Sequence, residues 1–559
     1  MTDLSRRDFL SSSAITLAGA LGVARSANAR RSTRDDTIVE TSYGKLRGAR
    51  ENGVSAFLGV PYAGRVSGDR RFRRPAPLAP WTGVRDALRL GPPAIQAPRA
   101  AFGKSEPMPA EDCLVLNLWT PATDAGKRAV MFYNHGGGFF GGSGGSVYQS
   151  GANLARLFDV VVVETNHRLG LLGFLYLDEI AGEEYAGSGN SGILDIVDGL
   201  RWVHENIAAF GGDPANVMIF GESGGGQKTS CLYAMPSVAP YFHKASIESG
   251  PGVRMSTREA AAETTALLLG EMGIPTRDWR RVLETSAADL LALQLRLPQT
   301  GQRVERERAR SSSPRVKRPA PVEPGGFAPV VDGVVLPHHP FEPTAPATSR
   351  GKPLIVGWNE DEYTYVAYAN KDTSAFGIDD AGLRAKLEPR FGSDAPRIVE
   401  TYRRSRPSAS ATELYVEIES VTMMGLGSIQ IAERKTAQGG APAYLYNLGY
   451  KSGEKVPGTD YPMGTPHAMD IGLKFNNVTP STFLMGNRPE RLVASRNMAE
   501  LWATFARTGR PAAAGQPAWP AYDLTRRATY RIDAQCAVID DRNRAEREMW
   551  RELGYLEGR

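Results

Sequence analysis

The stretch Gly221-Glu222-Ser223-Gly224-Gly225 carries the residue types that nucleophilic catalysis needs. A serine hydroxyl reacts only when it stands clear of its neighbours and beside a base. Glycines on both sides permit a turn too sharp for other side chains. Apolar residues of strand type precede the turn at 216–220, and a stretch of helical type follows at 227–235. Strand, tight turn, helix is the setting in which G-x-S-x-G forms a nucleophile elbow. The hydroxyl then sits at the carboxyl edge of a sheet with a helix N-terminus behind it. The same pattern recurs at Gly141-Gly142-Ser143-Gly144-Gly145, in a glycine-rich loop with no strand directly before it. Ser223 is the expected nucleophile and Ser143 a loop residue.

Such a serine needs a base to take its proton and an acid to orient that base, in the chain order serine, acid, histidine. The histidines downstream are His243, His338, His339 and His467. His243 enters the next strand and reads as structural. His338 and His339 lie in a proline-rich loop and read as surface residues. His467 follows an apolar strand at 443–447 through a loop containing Gly and Pro, where a base should stand. The acid should follow the strand at 354–357. Glu360, Asp361 and Glu362 all qualify by position, which does not choose among them; at least two are expected to be solvated surface carboxylates. His135-Gly136-Gly137-Gly138-Phe139 ends another strand, at 129–133. Its uncovered backbone N–H groups can cradle a developing oxyanion. His135 itself is expected to position that loop rather than act as a base.

The elements that must hold these residues read as a mixed, mostly parallel sheet. Segments 37–41 and 45–49 alternate around Tyr43-Gly44, a hairpin signal, and 54–60 adds a strand. Residues 64–112 are rich in Pro, Arg and Gly and read as surface loops. Strands follow at 114–119 and 160–164, the second continuously apolar as in a buried parallel sheet. Leu194, Val197, Leu200, Val203, Ile207 and Phe210 recur at helical spacing. Residues 245–248 form a short strand. Ser256-Thr257-Arg258-Glu259 is a capping-box pattern opening a helical region that runs, with a break at Gly273-Ile274-Pro275, to about residue 297. Residues 299–326 read as a flexible insert. Helices are expected around 379–391 and 411–436. Met498, Leu501, Trp502 and Phe505 form the apolar face of another, closed by Gly509. Strands alternating with helices after an antiparallel start indicate an α/β fold.

The 559 residues, 42% apolar and 23% charged, are those of a globular protein with a large core. The net charge of +5 equals the excess within 303–318, which holds seven basic and two acidic groups. That segment has no interleaved aromatics and reads as a solvated loop, so no nucleic-acid partner is expected. Three cysteines, Cys113, Cys231 and Cys536, offer no zinc spacing and no disulfide framework. The beginning of the chain reads as a twin-arginine signal peptide over 1–29. It has Ser5-Arg6-Arg7-Asp8-Phe9-Leu10, a weakly apolar run at 14–24, and an Ala27-Asn28-Ala29 cleavage site. The run is too short to span a bilayer. The expected mature protein, 30–559, is a single α/β domain exported to the periplasm or beyond by the twin-arginine machinery, without stable membrane insertion.

The motifs together resemble the type-B carboxylesterases, the group that includes bacterial esterases and cholinesterases. They are Glu111-Asp112-Cys113-Leu114-x-Leu116-Asn117, the glycine loop at 135–139, Asn166-x-Arg168-Leu169-Gly170-x-x-Gly173-Phe174, Phe210-Gly211-Gly212-Asp213-Pro214, and Phe220 to Gly224. The resemblance spans about residues 37–535 and implies the α/β-hydrolase fold, a mostly parallel sheet with helices on both faces. It implies hydrolysis of carboxylic esters through an acyl-enzyme on Ser223, with no cofactor or metal and a small-molecule ester as substrate. The family's acid ends a G-x-N-x-D-E segment, here Gly357-Trp358-Asn359-Glu360-Asp361-Glu362, so Glu362 is implied. His467-Ala468-Met469-Asp470 matches the segment of the family's histidine. The implied oxyanion donors are the N–H groups of Gly137, Gly138 and Gly224, and Ser249 matches a serine behind the triad. Three departures stand out. Most members have alanine at the position of Gly224, so Gly224→Ala is expected to be tolerated. The usual partner of Cys113 is replaced within Ala94-Ile95-Gln96, so that disulfide should be missing. No tryptophan lies between Ala94 and Cys113, which removes the cation–π platform for choline esters. An amidase or polyester hydrolase with the same triad, or a non-catalytic binding homologue, are the alternatives the sequence leaves.

Overall fold

The computed structural model describes residues 35–98, 106–309, 325–479 and 483–556. The signal peptide expected at 1–29 and residues 310–318 of the basic segment lie outside them. Thirteen strands form one sheet. The first are β1 (Asp35–Thr41), β2 (Gly44–Glu51), β3 (Val54–Pro61) and β4 (Val84–Asp86). Then come β5 (Val115–Thr120), β6 (Arg128–Asn134), β7 (Val161–Thr165), β8 (Gly212–Glu222) and β9 (Lys244–Glu248). β10 (Ser256–Thr257) and β11 (Val330–Val331) pair apart from it. β12 (Leu354–Asn359) and β13 (Ala443–Leu448) return to the sheet, β14 (Ser452–Lys455) and β15 (Pro462–Gly464) make a side hairpin, and β16 (Thr529–Ile532) and β17 (Ala537–Ile539) close it.

The order is β1-β2-β3-β5-β7-β6-β8-β9-β12-β13-β16-β17, with β4 beside β2. Apart from the parallel β2–β4 pair, pairing is antiparallel as far as β7 and again at β16–β17; every pair between is parallel. The period-2 alternation of the central strands divides their side chains between two cores. Val130, Phe132, Val161, Val163, Val217 and Ile219 face one. Met131, Tyr133, Val162, Met218 and Phe220 face the other. The helix Ser191–Asn206 covers the first face with Leu194, Val197, Leu200 and Val203. The helix Glu490–Thr508 covers the second with Met498, Leu501, Trp502 and Phe505, and ends where Gly509 turns left-handed at φ 73°. Each such side chain, fully buried, contributes about 1.5–3 kcal/mol. Among the described residues, no helix is long and apolar enough to cross a membrane.

Four details differ from the expectations. The helix expected to end near 297 continues as Ala287–Ala309, so the start of the presumed flexible insert at 299–326 is helical. The helix Arg258–Glu271 is capped by Thr257, which accepts from the N–H of Ala260, and not by Ser256, which is held in β10. A capping box does occur at Ser410 and Glu413. The two closing strands and the helix Arg544–Glu552 lie beyond the region read from periodicity.

Candidate active site

β8 runs in the middle of the sheet and ends at Glu222; the helix Gly224–Ala234 starts one residue after Ser223. Ser223 has φ 59° and ψ −124°, a region that costs a non-glycine residue about 1–3 kcal/mol. Crowding explains the flanking glycines: a Cβ on Gly221 would overlap the backbone of Gly225, and one on Gly225 the carbonyl of Asn134. The strain is held by β9, whose Glu248 carbonyl accepts from the Ser223 N–H at 2.9 Å.

Ser223 Oγ lies 2.8 Å from His467 Nε2, and His467 Nδ1 lies 2.6 Å from Glu362 Oε2. Glu362 opens the helix Glu362–Ala369 directly after β12. Its other oxygen accepts from the Asn359 N–H at 2.7 Å and from Ser249 Oγ at 2.6 Å. The carboxylate is fully buried and stays tolerable because these donors surround it. His467 follows the β14–β15 hairpin and precedes the helix Met469–Lys474.

The two neighbouring acids are not solvated, contrary to expectation. Glu360 meets Lys451, Arg531 and Arg542, and these cations overcome burial and hold its carboxyl down at about 2. Asp361 binds Lys451 and accepts from the Thr465 N–H at 2.7 Å, which fixes the loop bearing His467. The other histidines stand elsewhere. His243 Nδ1 accepts from the Val217 N–H at 3.1 Å, and burial lowers its pKa to about 4. His338 is exposed. His339 is half-buried and accepts from the Met255 N–H, so it is not a surface residue.

Glu222 is a member that sequence reasoning passed over, although it adjoins the serine. Its Oε1 lies 3.3 Å from His467 Nε2 without a hydrogen bond. Burial raises its pKa, with His467 opposing. Burial works against charge on His467 too, but Glu222 and Glu362 outweigh it and raise the imidazole above the usual histidine range. Glu222 Oε1 and His467 Nε2 stand close enough for one proton to serve either group. With that proton on Glu222, the imidazole is neutral and Nε2 can accept.

The glycine loop leaves β6 at Asn134. Gly137 and Gly138 adopt φ 88° and 63°, open to glycine alone at low cost. Gln96 clamps the loop's far end through both atoms of Gly142, at 2.8 and 2.9 Å. The buried Lys228 donates to the His135 carbonyl at 2.9 Å, and the His135 ring stacks on His167 at 4.6 Å. Ser143 lies in the same loop system, buried, donating to Glu106 and accepting from the Gly145 N–H.

Gly224 shows why alanine is missing there. A Cβ at this position would overlap the N, Cα and O of Gly138. The loop occupies the space that alanine would fill, which reverses the expectation of tolerance. Gly224→Ala is expected to push the loop away and lower kcat about 10²-fold, the scale of a misplaced catalytic group. Steady-state kinetics with unchanged kcat would contradict this.

Ser223 and His467 face a cleft of about 820 Å³ whose walls include Phe140, Tyr365, Tyr368 and Ile471. The cysteines are buried and unpaired; Cys113 shares one small cavity with Ala94 and Ile95, and no second cysteine lines it.

A model of the carboxylesterase family matches residues 35–550. The para-nitrobenzyl esterase of Bacillus subtilis is 32% identical over 517 residues, 91% of this chain and 98% of that protein. The crystal structure of carboxylesterase EST55 of Geobacillus stearothermophilus superposes with a TM-score of 0.76 at 36% identity, covering 92% of this chain and all of that one. An esterase of Clostridium hathewayi, described as able to hydrolyze aliphatic aromatic polyesters, superposes at 0.73 with 30% identity over 93% of this chain and all of its own. The chain belongs to the carboxylesterase family and is a carboxylic-ester hydrolase of the α/β-hydrolase fold.

Proposed function

We propose that the protein is a serine esterase working through an acyl-enzyme on Ser223. The observation that carries this is the continuous hydrogen-bond path from Ser223 Oγ through His467 to the buried Glu362. Ser223 Oγ attacks the ester carbonyl as His467 Nε2 takes its proton. Glu362 holds Nδ1–H and balances the imidazolium. The N–H groups of Gly137, Gly138 and Gly224 receive the oxyanion. The tetrahedral adduct collapses, and His467 returns the proton to the departing alcohol. His467 next deprotonates a water, which attacks the acyl group. The acid leaves and Ser223 recovers its proton. No step requires a cofactor.

The experiment is a kcat/KM profile against pH. Only neutral imidazole accepts the serine proton, so activity falls as pH drops through the pKa of the base. Because that pKa is raised, the acid limb is expected with its midpoint above about 6.5, the ordinary histidine value. A profile flat from about pH 5 to 8 would defeat the assignment of His467.

The polyester-hydrolysing relative and the aromatic cleft walls favour aromatic esters as a second reading of substrate range. Comparing turnover of short p-nitrophenyl esters with acid release from an aliphatic–aromatic polyester separates the two. Export by the twin-arginine pathway completes the proposal, on the strength of Arg6-Arg7 and Ala27-Asn28-Ala29. Secreted material is expected to begin near Arg30, and lysines in place of Arg6 and Arg7 to trap the protein inside. An intact mass that still includes Met1 outside the cytoplasm would refute it.

A further inference from the structure

Lys474 ends the helix that begins two residues after His467, and its side chain is fully buried. An ammonium has three donors and no acceptor, so it survives burial only against anions. Its Nζ donates to Glu248 Oε2 and lies 3.6 Å from Asp470 Oδ2. The other oxygen of Glu248 accepts from Ser246 Oγ at 2.7 Å and Trp502 Nε1 at 2.5 Å. Asp470 Oδ1 accepts from Asn359 Nδ2 at 3.3 Å, and the N–H of the same Asn359 donates to Glu362. The ion pair with Asp470 and the two hydrogen bonds of Asn359 thus join Lys474 to the acid of the site.

The charges around the base are lopsided. His467 is faced by Glu222 from the end of β8, Glu362 from the helix after β12, Asp470 from the helix that follows it, and the Tyr365 ring at 5.9 Å. Lys474 is faced by Glu248 from β9, Asp470 from its own helix and Glu222 from β8, with the Tyr133 ring of β6 at 5.6 Å and the Phe220 ring of β8 at 5.7 Å. The Tyr446 phenol of β13 and the Tyr133 phenol sit in the field of the same carboxylates. A histidine among this many carboxylates would hold a proton at rest, and a protonated base cannot accept one from serine.

We propose that Lys474 is a positioning residue for catalysis, which lowers the proton affinity of His467 by offsetting the charge of Glu248 and Asp470. The proposal rests on His467 being the base. Burial opposes the charge on Lys474, but Glu248 and Asp470 overcome it and keep the ammonium protonated. The five steps from Met469 to Lys474 rise about 8 Å along the helix that follows His467, and one charge about 10 Å away inside a protein moves a pKa by about one unit.

The test is the kcat/KM–pH profile of the wild type, Lys474→Met, Glu248→Gln and the double variant, with folding followed by far-UV circular dichroism. Removing the cation should move the acid limb up by about one unit. Removing the anion should move it down by a similar amount, since Asp470 remains to hold the charge on Lys474. The double variant, with the same net charge as the wild type, should return close to its limb. A packing defect would lower the plateau without moving the limb in opposite directions. Should Lys474→Met fail to fold, Glu248→Gln and the double variant still decide. Limbs that coincide with the wild type, or that move in the same direction, overturn the role of Lys474. A wild type without an acid limb would instead defeat the assignment of the base.

Discussion

Ser223→Ala is expected to reduce kcat by about 10⁵- to 10⁶-fold, the loss typical when the nucleophile of such a triad is removed. Nothing else in the cleft substitutes for it. Ser143, the other serine in a matching glycine pattern, bonds Glu106 and the Gly145 N–H and has no histidine among its hydrogen-bond partners. Alanine pays the same backbone strain as serine at φ 59°, so far-UV circular dichroism and thermal stability should be unchanged. Residual hydrolysis above background would come from the oxyanion hole and substrate binding. A variant retaining a tenth of wild-type activity would remove Ser223 from the mechanism.

Glu362→Gln is expected to lower kcat by about 10⁴-fold with KM little altered, the effect known for amide replacement of a triad carboxylate. The hydrogen bonds show why. Asn359 N–H and Ser249 Oγ both donate to one oxygen of Glu362, and His467 Nδ1–H to the other. Glutamine would keep its carbonyl oxygen toward the two donors and turn its amide group toward Nδ1. Nδ1 would then have to accept, the ring proton would move to Nε2, and Nε2 could no longer take the serine proton. Kinetics within about tenfold of wild type would show that the carboxylate does not set the tautomer.

These partners were legible to different degrees. The elbow is local: strand, glycines and helix lie within a few residues, and Ser223 stands out for that reason. His467 could be placed because a strand must precede the base, although the β14–β15 hairpin lies between that strand and the histidine. The acid was ambiguous on position alone, since Glu360, Asp361 and Glu362 are consecutive. What separates them is three-dimensional: Glu362 alone opens a helix beside His467, while its neighbours are taken by Lys451, Arg531, Arg542 and the Thr465 N–H. Gly224 was visible only as an exception, and its meaning came from the position of Gly138. Lys474 gave no signal, because its partner Glu248 is 226 residues away. The helix to Ala309 was missed because its second half is polar and has no apolar stripe to read.

The central claim is that Ser223 is activated by His467 and faces an oxyanion hole. An organophosphate tests it directly, since it reacts with an activated serine and leaves a tetrahedral adduct that needs base and oxyanion donors together. Peptide mapping after stoichiometric inactivation is predicted to find a single adduct, on Ser223, with esterase activity lost in proportion to labelling. Ser143→Ala should label like the wild type and Ser223→Ala not at all. An adduct on Ser143, or full activity in a protein labelled at Ser223, would contradict the account.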